Sequence, residues 1–274
     1  MTLHGKQLAV SIPDTVLEEK ESPREKTAKL GIIARACAIY GVDVVEIFKD
    51  LRGKGEREEI AKVLGYLETP QYLRKRLYPI DESLRYAGAL PPLRTPSHKP
   101  RVPAGKLERG EVREGVMNPD GTVDIGLDVR PKLTGNVPSG KRVTVRVTSL
   151  NPVTAEQISK EKTGTYWGYD VEVKSVLEVF SDARFPVKVA TSRLGDTLTD
   201  KMEALSASIR RQGGVKMIFG SPSRGLFDIV GPDLARKCNF ILNLFGEQHV
   251  ETVRTEEAIF AGLGLVNTLM SGKA

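Results

Sequence analysis

The sequence is poor in the residues from which metal sites and disulfides are built. Its 274 residues include two cysteines, Cys37 and Cys238, and three histidines, His4, His98 and His249. They form neither a Cys-x-x-Cys pair nor a spacing typical of zinc ligands, so we expect no metal site. Cys37 lies in a helical context, where we expect a small buried side chain, and we expect no disulfide in a reducing compartment.

Long apolar segments are missing as well. No apolar run approaches the roughly 18 residues that a membrane-crossing helix needs. The first residues, Met-Thr-Leu-His-Gly-Lys-Gln, lack the apolar core of a signal peptide. We therefore expect a cytoplasmic protein with no membrane partner. Its 40% hydrophobic and 28% charged residues are typical of a globular protein of one large or two ordinary domains.

The chain has a moderate excess of positive charge, with a formal net charge of +6 and a sequence pI near 9.2. Residues 95–150 contain ten Lys or Arg and six Asp or Glu, which is most of that excess. Cations pair with RNA phosphates and aromatic rings stack on bases. We expect RNA contact from Lys132, Lys141, Arg142, Arg146 and Trp167. The alternative is a buried Trp167 and a solvated charged face.

The first 90 residues alternate between strand and helix patterns. The apolar run at 7–13 predicts a buried strand, and Ser22-Pro23-Arg24-Glu25 predicts an N-cap, a proline at N1 and a capping box. That helix is predicted to run to about Tyr40, with Gly41 as its stop. A second strand and two more helices follow at 42–48, 56–67 and 70–77. Alternating elements of this kind are typical of a parallel α/β sheet.

The pattern changes near residue 90, where five prolines between 91 and 103 argue against a helix or a central strand. The hairpin signal Asp120-Gly121 stands among short strand-like runs at 108–117, 122–128, 141–150 and 166–176. Such runs without helices predict a small β-barrel of the OB type. We therefore predict one α/β domain, made from residues 1–90 and 175–274, interrupted by a β insert at 91–174.

The α/β pattern resumes at Pro186. Strands are predicted at 187–190, 215–219 and 240–242, with a turn at 191–196 and a helix at 199–212. Thr255 fits the N-cap of a last helix, with Glu256 and Glu257 in its first turn. Its apolar face follows the helical period, with Ile259, Leu263, Val266 and Met270.

Three loops follow these strands, near residues 191, 220 and 244, and ligands of α/β proteins bind at the carboxyl ends of strands. Glycines there allow a close approach to the ligand, and apolar residues hold a ring. The loops contain neither Gly-x-Gly-x-x-Gly nor a phosphate-binding Gly-Lys-Ser. This weakens a dinucleotide or nucleoside triphosphate function.

The segment Val-Arg-Thr-Glu-Glu-Ala-Ile at 253–259, with Gly246 and Gln248 before it, resembles the last motif of SPOUT-class RNA methyltransferases. It is most similar to the archaeal and eukaryotic branch that methylates uridine at N-3 and carries an OB-like insert. The resemblance is specific over 240–260, fair over 187–231 and looser over the first 90 residues. It implies a trefoil-knotted α/β domain, S-adenosylmethionine (SAM) as methyl donor, a homodimer and an RNA substrate, with ribosomal RNA expected.

On this family pattern the three loops form the methyl-donor site. We predict that SAM is bound by Thr191, Ser192, Gly220, Ser221, Leu242, Asn243, Leu244, Gly246, Gln248 and Thr255. Methylation at N-3 of uridine places negative charge on the carbonyl oxygens, which a cation stabilises. Arg254, within the motif, is the first candidate, and Arg193 and Arg224 are others. Glu256 would orient an arginine or accept a proton, or only stabilise the helix dipole; the sequence identifies no general base.

Two other functions stay open at this point. One is a non-catalytic RNA-binding protein that uses the OB-like module, and the other is an α/β enzyme that acts on a small metabolite in the same crevice. Calorimetry with SAM separates methyl transfer from the first alternative. Tight, salt-sensitive binding to RNA argues against the second.

Overall fold

A computed structural model describes residues 7–18, 21–135 and 137–271. The expectations for His4 and for the first six residues lie outside these ranges. The described chain divides into two compact units. The β unit comprises Tyr66–Glu82 and Pro91–Gly168, and the α/β unit comprises the rest of the described chain. No helix within these ranges is long and apolar enough to span a membrane.

The described residues form eleven strands and eight helices. The strands are β1 Leu8–Pro13, β2 Val44–Phe48, β3 Val112–Met117, β4 Val123–Asp124, β5 Lys132–Thr134, β6 Arg142–Leu150, β7 Val153–Gln157, β8 Asp170–Lys174, β9 Val187–Thr197, β10 Val215–Ile218 and β11 Phe240–Asn243. The helices are α1 Pro23–Tyr40, α2 Arg57–Glu68, α3 Gln71–Leu77, α4 Val176–Ser181, α5 Leu198–Gln212, α6 Leu226–Val230, α7 Leu234–Lys237 and α8 Thr255–Ser271.

The α/β unit is built on one six-stranded sheet in the order β11-β9-β10-β1-β2-β8. All neighbouring strands in it are parallel. Strands β1 and β2 are buried along their whole length, as expected for parallel strands covered on both faces. The predicted α/β class with a parallel sheet is confirmed.

Helix α1 begins as predicted. The Ser22 side chain accepts a hydrogen bond from the Glu25 N–H, and the Glu25 carboxylate accepts one from the Ser22 N–H. The helix ends at Gly41, which adopts a left-handed conformation with φ of 68°. Both ends of α1 could be predicted from the sequence, because each cap is formed by residues that are close together in the chain.

The β unit contains a five-stranded sheet in the order β4-β3-β6-β7-β5. Its pairs are antiparallel except β5 with β7. Its core is made of aliphatic side chains from these strands, among them Met117, Val123, Ile125, Val143, Val145 and Val147. The short strands β5 and β7 were not predicted, because neither has a continuous apolar face.

One predicted insert strand belongs to the other unit. The run at 166–176 contains β8, which pairs with β2 in the parallel sheet, with Val45 opposite Val171. The division between the units therefore lies between Gly168 and Tyr169 rather than at 174, and residues 66–82 belong to the β unit. Alternation along a strand shows that it is half-buried but does not identify the sheet that it joins.

Candidate active site

A pocket with a volume of about 630 Å³ opens at the carboxyl edge of the parallel sheet. Its wall consists of the second half of β9, the end of β11, the segments that follow β10 and β11, and the starts of α6 and α8. All of these belong to the α/β unit. Ligand sites in parallel sheets are expected at this edge.

The first wall comes from β9, where the structure corrects a prediction. Residues 191–196 were predicted as a turn but lie within β9. Ile241 pairs with Ala190 whereas Leu242 pairs with Asp196, so residues 191–195 bulge outward between two paired stretches. A Cβ at Gly195 would lie 2.6 Å from the Ile241 carbonyl oxygen, so glycine is required for β11 to pass there. The bulge directs residues 191–194 to the pocket.

The second wall is the turn after β10. The Ser221 N–H donates to the Arg224 carbonyl oxygen at 2.9 Å, and the Arg224 N–H donates to Ser221 Oγ at 3.1 Å. Thr255 Oγ1 donates to the Gly220 carbonyl oxygen at 3.4 Å and so connects this turn to α8.

That last contact corrects the predicted N-cap. With Thr255 as the N-cap, Glu256 would be the first helical residue. Helix α8 instead begins at Thr255 itself, one residue earlier. The Glu257 carboxylate accepts the Arg254 N–H at 2.9 Å, which satisfies a free backbone donor at the helix start. The Thr255 hydroxyl is thereby left to contact the pocket turn.

The third wall is the loop after β11. Leu242 is fully buried, and the Asn243 Oδ1 accepts the Phe245 N–H at 3.2 Å. Gln248 Nε2 donates to the carbonyl oxygens of Val250 at 2.6 Å and Glu251 at 3.0 Å, which closes the loop on itself. The predicted polar residues of this loop thus shape its backbone.

The three loops converge on one pocket. Nine of the ten residues predicted to bind SAM line it, namely Thr191, Ser192, Gly220, Ser221, Leu242, Asn243, Leu244, Gln248 and Thr255. The tenth, Gly246, is exposed in the same loop, at a φ of 56°. Convergence shows that these residues share a site. That they bind SAM stays a prediction.

The predicted catalytic residues occupy different positions around the pocket. Arg193 lines it, and its Nη1 donates to the Glu251 carbonyl oxygen at 3.4 Å. Arg254 is exposed and lies between two lining residues, Val253 and Thr255, at the rim. Glu256 is only 4% exposed and is not among the residues that line the pocket. A helix-stabilising role fits Glu256 better than proton transfer at the pocket.

Arg224 also lines the pocket, and two carboxylates bind its guanidinium. Its Nε donates to the Asp50 carboxylate at 3.0 Å, and its Nη2 pairs with Glu18 at 2.7 Å. The sequence did not indicate these partners, because Glu18 and Asp50 are more than 170 residues away. Phe219, Phe227, Val253 and Ala258 are among the other lining residues. These residues were not predicted. They lie close in sequence to predicted residues, and this closeness was the signal that could have identified them.

In the β unit, two of the predicted RNA contacts are not supported by the geometry. Trp167 is 5% exposed, and its Nε1 donates to Glu114 Oε1 at 2.6 Å, so its ring is packed inside the unit. The Arg142 guanidinium pairs with the carboxylates of Glu68 and Glu114. Burial alone would lower the pKa of Arg142, but these carboxylates raise it above its ordinary value. Both side chains are committed to internal contacts.

The other three predicted RNA contacts remain accessible. Lys132 and Lys141 are exposed. Arg146 is partly exposed; its Nη2 donates to the Lys162 carbonyl oxygen at 2.8 Å, and its Nη1 lies 3.8 Å from Glu156. These positions are compatible with phosphate contact, which stays a prediction.

Among the residues that the structure describes, one acidic group is tight enough to hold a metal ion, formed by Glu46, Glu172 and Asp182. Its oxygens already bind cations of the protein. Lys174 Nζ lies 2.6 Å from both Glu46 and Asp182, and Lys216 Nζ lies 2.8 Å from Glu46. This arrangement is a buried ion-pair network in the sheet.

The fold and the pocket define an α/β protein with an open pocket at the carboxyl edge of a parallel sheet. The family described as "Putative RNA methyltransferase" matches residues 7–266, and the chain belongs to this family. It is 34% identical to "Uncharacterized protein rrnAC1612" of Haloarcula marismortui, over 93% of this chain and 96% of that one.

Two animal relatives have an activity in their names. The chain is 31% identical to the "28S rRNA (uridine-N(3))-methyltransferase" of Homo sapiens, over 93% of this chain and 76% of that one. It is 31% identical to the protein of the same name in Mus musculus, over 93% of this chain and 74% of that one.

Proposed function

We propose that the protein transfers a methyl group from SAM to N-3 of a uridine in ribosomal RNA. Family membership and the names of the human and mouse relatives support the reaction and the substrate. The observation that carries the proposal is the convergence of three distant loops on one pocket of about 630 Å³.

The pocket residues fit SAM in size and chemistry. Its volume lies within the roughly 300–1,000 Å³ of small-molecule sites. Apolar side chains such as Phe219, Leu242 and Leu244 offer a surface for adenine. The turn at Gly220 and the loop at Asn243 also line the pocket, and they would contact the ribose and the zwitterionic methionine end.

Bound SAM would supply an electrophilic methyl group. The chain must hold the uridine N-3 in line with it, and such alignment lowers the barrier separately from the loss of the N-3 proton to solvent water. As N-3 loses its proton, charge develops on the neighbouring carbonyl oxygens. We propose that Arg193 in the wall and Arg254 at the rim stabilise that charge through their guanidinium groups.

Finer family features belong to the same proposal: a SPOUT-type trefoil knot, an OB-like β unit, a cytoplasmic location and a homodimer.

An apolar surface on α1 and α8 favours the dimer. Ile32 and Ile39 are 44% and 48% exposed on α1. Helix α8 packs against α1 through Tyr40 and Phe260 and carries no charged residue after Glu257. Light scattering after gel filtration would give the mass of the assembly.

Mass spectrometry of nucleosides from ribosomal RNA tests the reaction directly. We expect 3-methyluridine to fall in cells that lack the gene and to return when the gene is restored. Purified protein and labelled SAM should methylate RNA from the deletion cells. An unchanged 3-methyluridine level together with the loss of another methylated nucleoside would contradict the choice of base.

The role of Arg254 is tested by Arg254→Ala. We expect the turnover number to fall by about 100-fold, because one preformed charge contact to a developing oxyanion is lost. The affinity for SAM, measured by calorimetry, should change little. Arg236→Ala removes another highly exposed arginine of the α/β unit and serves as the control. Equal turnover by the two variants would remove Arg254 from the mechanism.

A further inference from the structure

A basic loop follows β2 at the carboxyl edge of the parallel sheet. Residues 49–57 read Lys-Asp-Leu-Arg-Gly-Lys-Gly-Glu-Arg, with four cations and two carboxylates. Outside the β unit the full sequence has 25 Lys or Arg and 24 Asp or Glu, a net charge of +1. The loop alone has a net charge of +2, so it is a local concentration of positive charge.

The two carboxylates of the loop are used inside the unit. Asp50 is buried and accepts hydrogen bonds from Thr15 Oγ1 at 3.1 Å and from Arg224 Nε at 3.0 Å. Glu56 pairs with Lys26.

Three of the four cations of the loop, in contrast, face solvent, whereas Arg57, the first residue of α2, is half-buried. Lys49, Arg52 and Lys54 are exposed, and their side chains form no salt bridge with any residue in the described ranges. Their charge is therefore available to an anionic partner.

The side chain of Arg224 connects the loop to the pocket wall. Arg224 lines the pocket, and its Nη2 lies 2.8 Å from Asp50 while its Nη1 donates to the Arg52 carbonyl oxygen at 3.4 Å. A Cβ at Gly53 would collide with the same guanidinium, so glycine permits this close approach. The Arg224 side chain is 21% exposed and is held between the loop and the pocket.

The sheet order places the loop beside the pocket. Strands β1 and β2 follow β10 in the sheet and run parallel to it, so the residues after β2 lie at the edge where the pocket opens. A base that enters the pocket brings its neighbouring nucleotides to this edge. Lysine and arginine bind phosphates, and the Leu51 side chain, 82% exposed, offers an apolar contact for a base.

We propose that the 49–57 loop binds the phosphates of the RNA nucleotides that flank the base entering the pocket. The inference rests on the proposed function and adds an RNA contact in the α/β unit to the cations of the β unit. Arg224, held by Asp50, fixes the distance between the phosphate contacts and the pocket.

A triple variant, Lys49→Gln, Arg52→Gln and Lys54→Gln, tests the loop. The matched control is Arg210→Gln, Arg211→Gln and Arg236→Gln, which removes the same charge. These control residues lie at the end of α5 and in α7, next to the starts of β10 and β11, at the opposite edge of the sheet. The probe is a fluorescein-labelled 20-nucleotide oligouridylate, followed by fluorescence anisotropy over a range of KCl concentrations.

We expect the loop variant to bind the oligouridylate at least tenfold more weakly than the wild type at 100 mM KCl. The slope of log Kd against log[KCl] should fall by about 2, because each phosphate contact on a single strand contributes roughly 0.7. The control should stay within twofold of the wild type. Calorimetry should show an unchanged Kd for SAM, and the charge-conserving variant Lys49→Arg, Arg52→Lys and Lys54→Arg should keep most of the RNA affinity.

Equal RNA affinity of the loop variant and the control overturns the inference. If the wild type nevertheless binds SAM and methylates ribosomal RNA, the proposed function stands and only the loop assignment fails. If the wild type binds no SAM, the proposed function fails, and the anisotropy comparison still decides the loop. Weak RNA binding by the charge-conserving variant would also overturn the inference, since shape rather than charge would then be responsible.

Discussion

At the residue scale, the β unit contains a buried ionic centre. Arg142 bridges Glu68 and Glu114, and Glu114 also accepts hydrogen bonds from Thr144 and Trp167. Both carboxylates are buried, with their negative charges compensated by one guanidinium. Removing only one partner of such a group leaves buried charges without compensation. The free-energy cost of those uncompensated charges is larger than the net stability that the intact group contributes.

The variant Arg142→Ala tests this centre. We expect the free energy of unfolding of the β unit to fall by about 3 kcal/mol, because Glu68 and Glu114 lose their counter-charge. Trp167 is the sole tryptophan and touches Glu114, so its fluorescence during urea unfolding reports on this unit. The neighbouring Lys141→Ala is the control and should cost less than about 0.5 kcal/mol. Similar losses for both variants would contradict the structural role of Arg142.

At the element scale, α8 connects the core to the pocket. Its first residue, Thr255, contacts the turn at Gly220, and Gly262 faces two elements of the pocket region. A Cβ at Gly262 would lie 2.7 Å from Met217 Cε and 3.2 Å from Leu244 Cδ1. Glycine lowers helix propensity by about 1 kcal/mol relative to alanine, and close packing against β10 and the β11 loop explains its presence.

The variant Gly262→Val tests this packing. We expect a loss of about 1–3 kcal/mol in the free energy of unfolding from overpacking. Displacement of Leu244, which lines the pocket, should also weaken the binding of SAM in calorimetry. Ala261→Val places the same side chain at an exposed position of α8, so only the helix propensity should change. If Gly262→Val binds SAM as well as Ala261→Val does, α8 does not shape the pocket.

At the scale of the whole molecule, charge is distributed unevenly. The β unit has 16 Lys or Arg and 11 Asp or Glu, a net charge of +5 out of +6 for the chain. The α/β unit is nearly neutral overall and concentrates its charge in the buried network of the sheet and in the 49–57 loop. A partner with many phosphates suits this distribution.

The buried network predicts acid sensitivity of the α/β unit. Burial alone would raise the pKa of Asp182, but hydrogen bonds from Arg184 and Lys174 hold it well below its usual range. Hydrogen bonding to Arg184 likewise lowers the pKa of Glu172. Carboxylates with lowered pKa values contribute stability above their ordinary pKa, and this contribution is lost as pH falls.

We therefore expect the free energy of unfolding to decrease as the pH drops below about 4.5, the ordinary pKa of a glutamate. Urea titrations between pH 7 and pH 3, followed by far-UV circular dichroism, measure this change. The variant Asp182→Asn should be less stable at pH 7 and lose less stability on acidification. The exposed Asp233→Asn is the control and should follow the wild type. Equal acid losses for Asp182→Asn and the wild type would show that other carboxylates dominate.

Local sequence patterns were enough to predict the α/β class, most elements of the α/β unit and nine of the residues that line the pocket. Periodicity and caps are local properties, so Ser22, Glu25 and Gly41 identified α1 without any knowledge of its neighbours. The loop residues near 191, 220 and 244 were found because strand ends and a family motif mark them.

Contacts between residues that are distant in the chain became known from the folded structure. It placed β8 in the parallel sheet, turned residues 191–195 into a bulge, and joined Arg224 to Asp50. It also packed Trp167 inside the β unit and paired Arg142, whose side chain is 24% exposed, with Glu68 and Glu114. A sequence shows the type of a side chain and its local period, whereas the environment of a charge depends on contacts between residues that are distant in the chain.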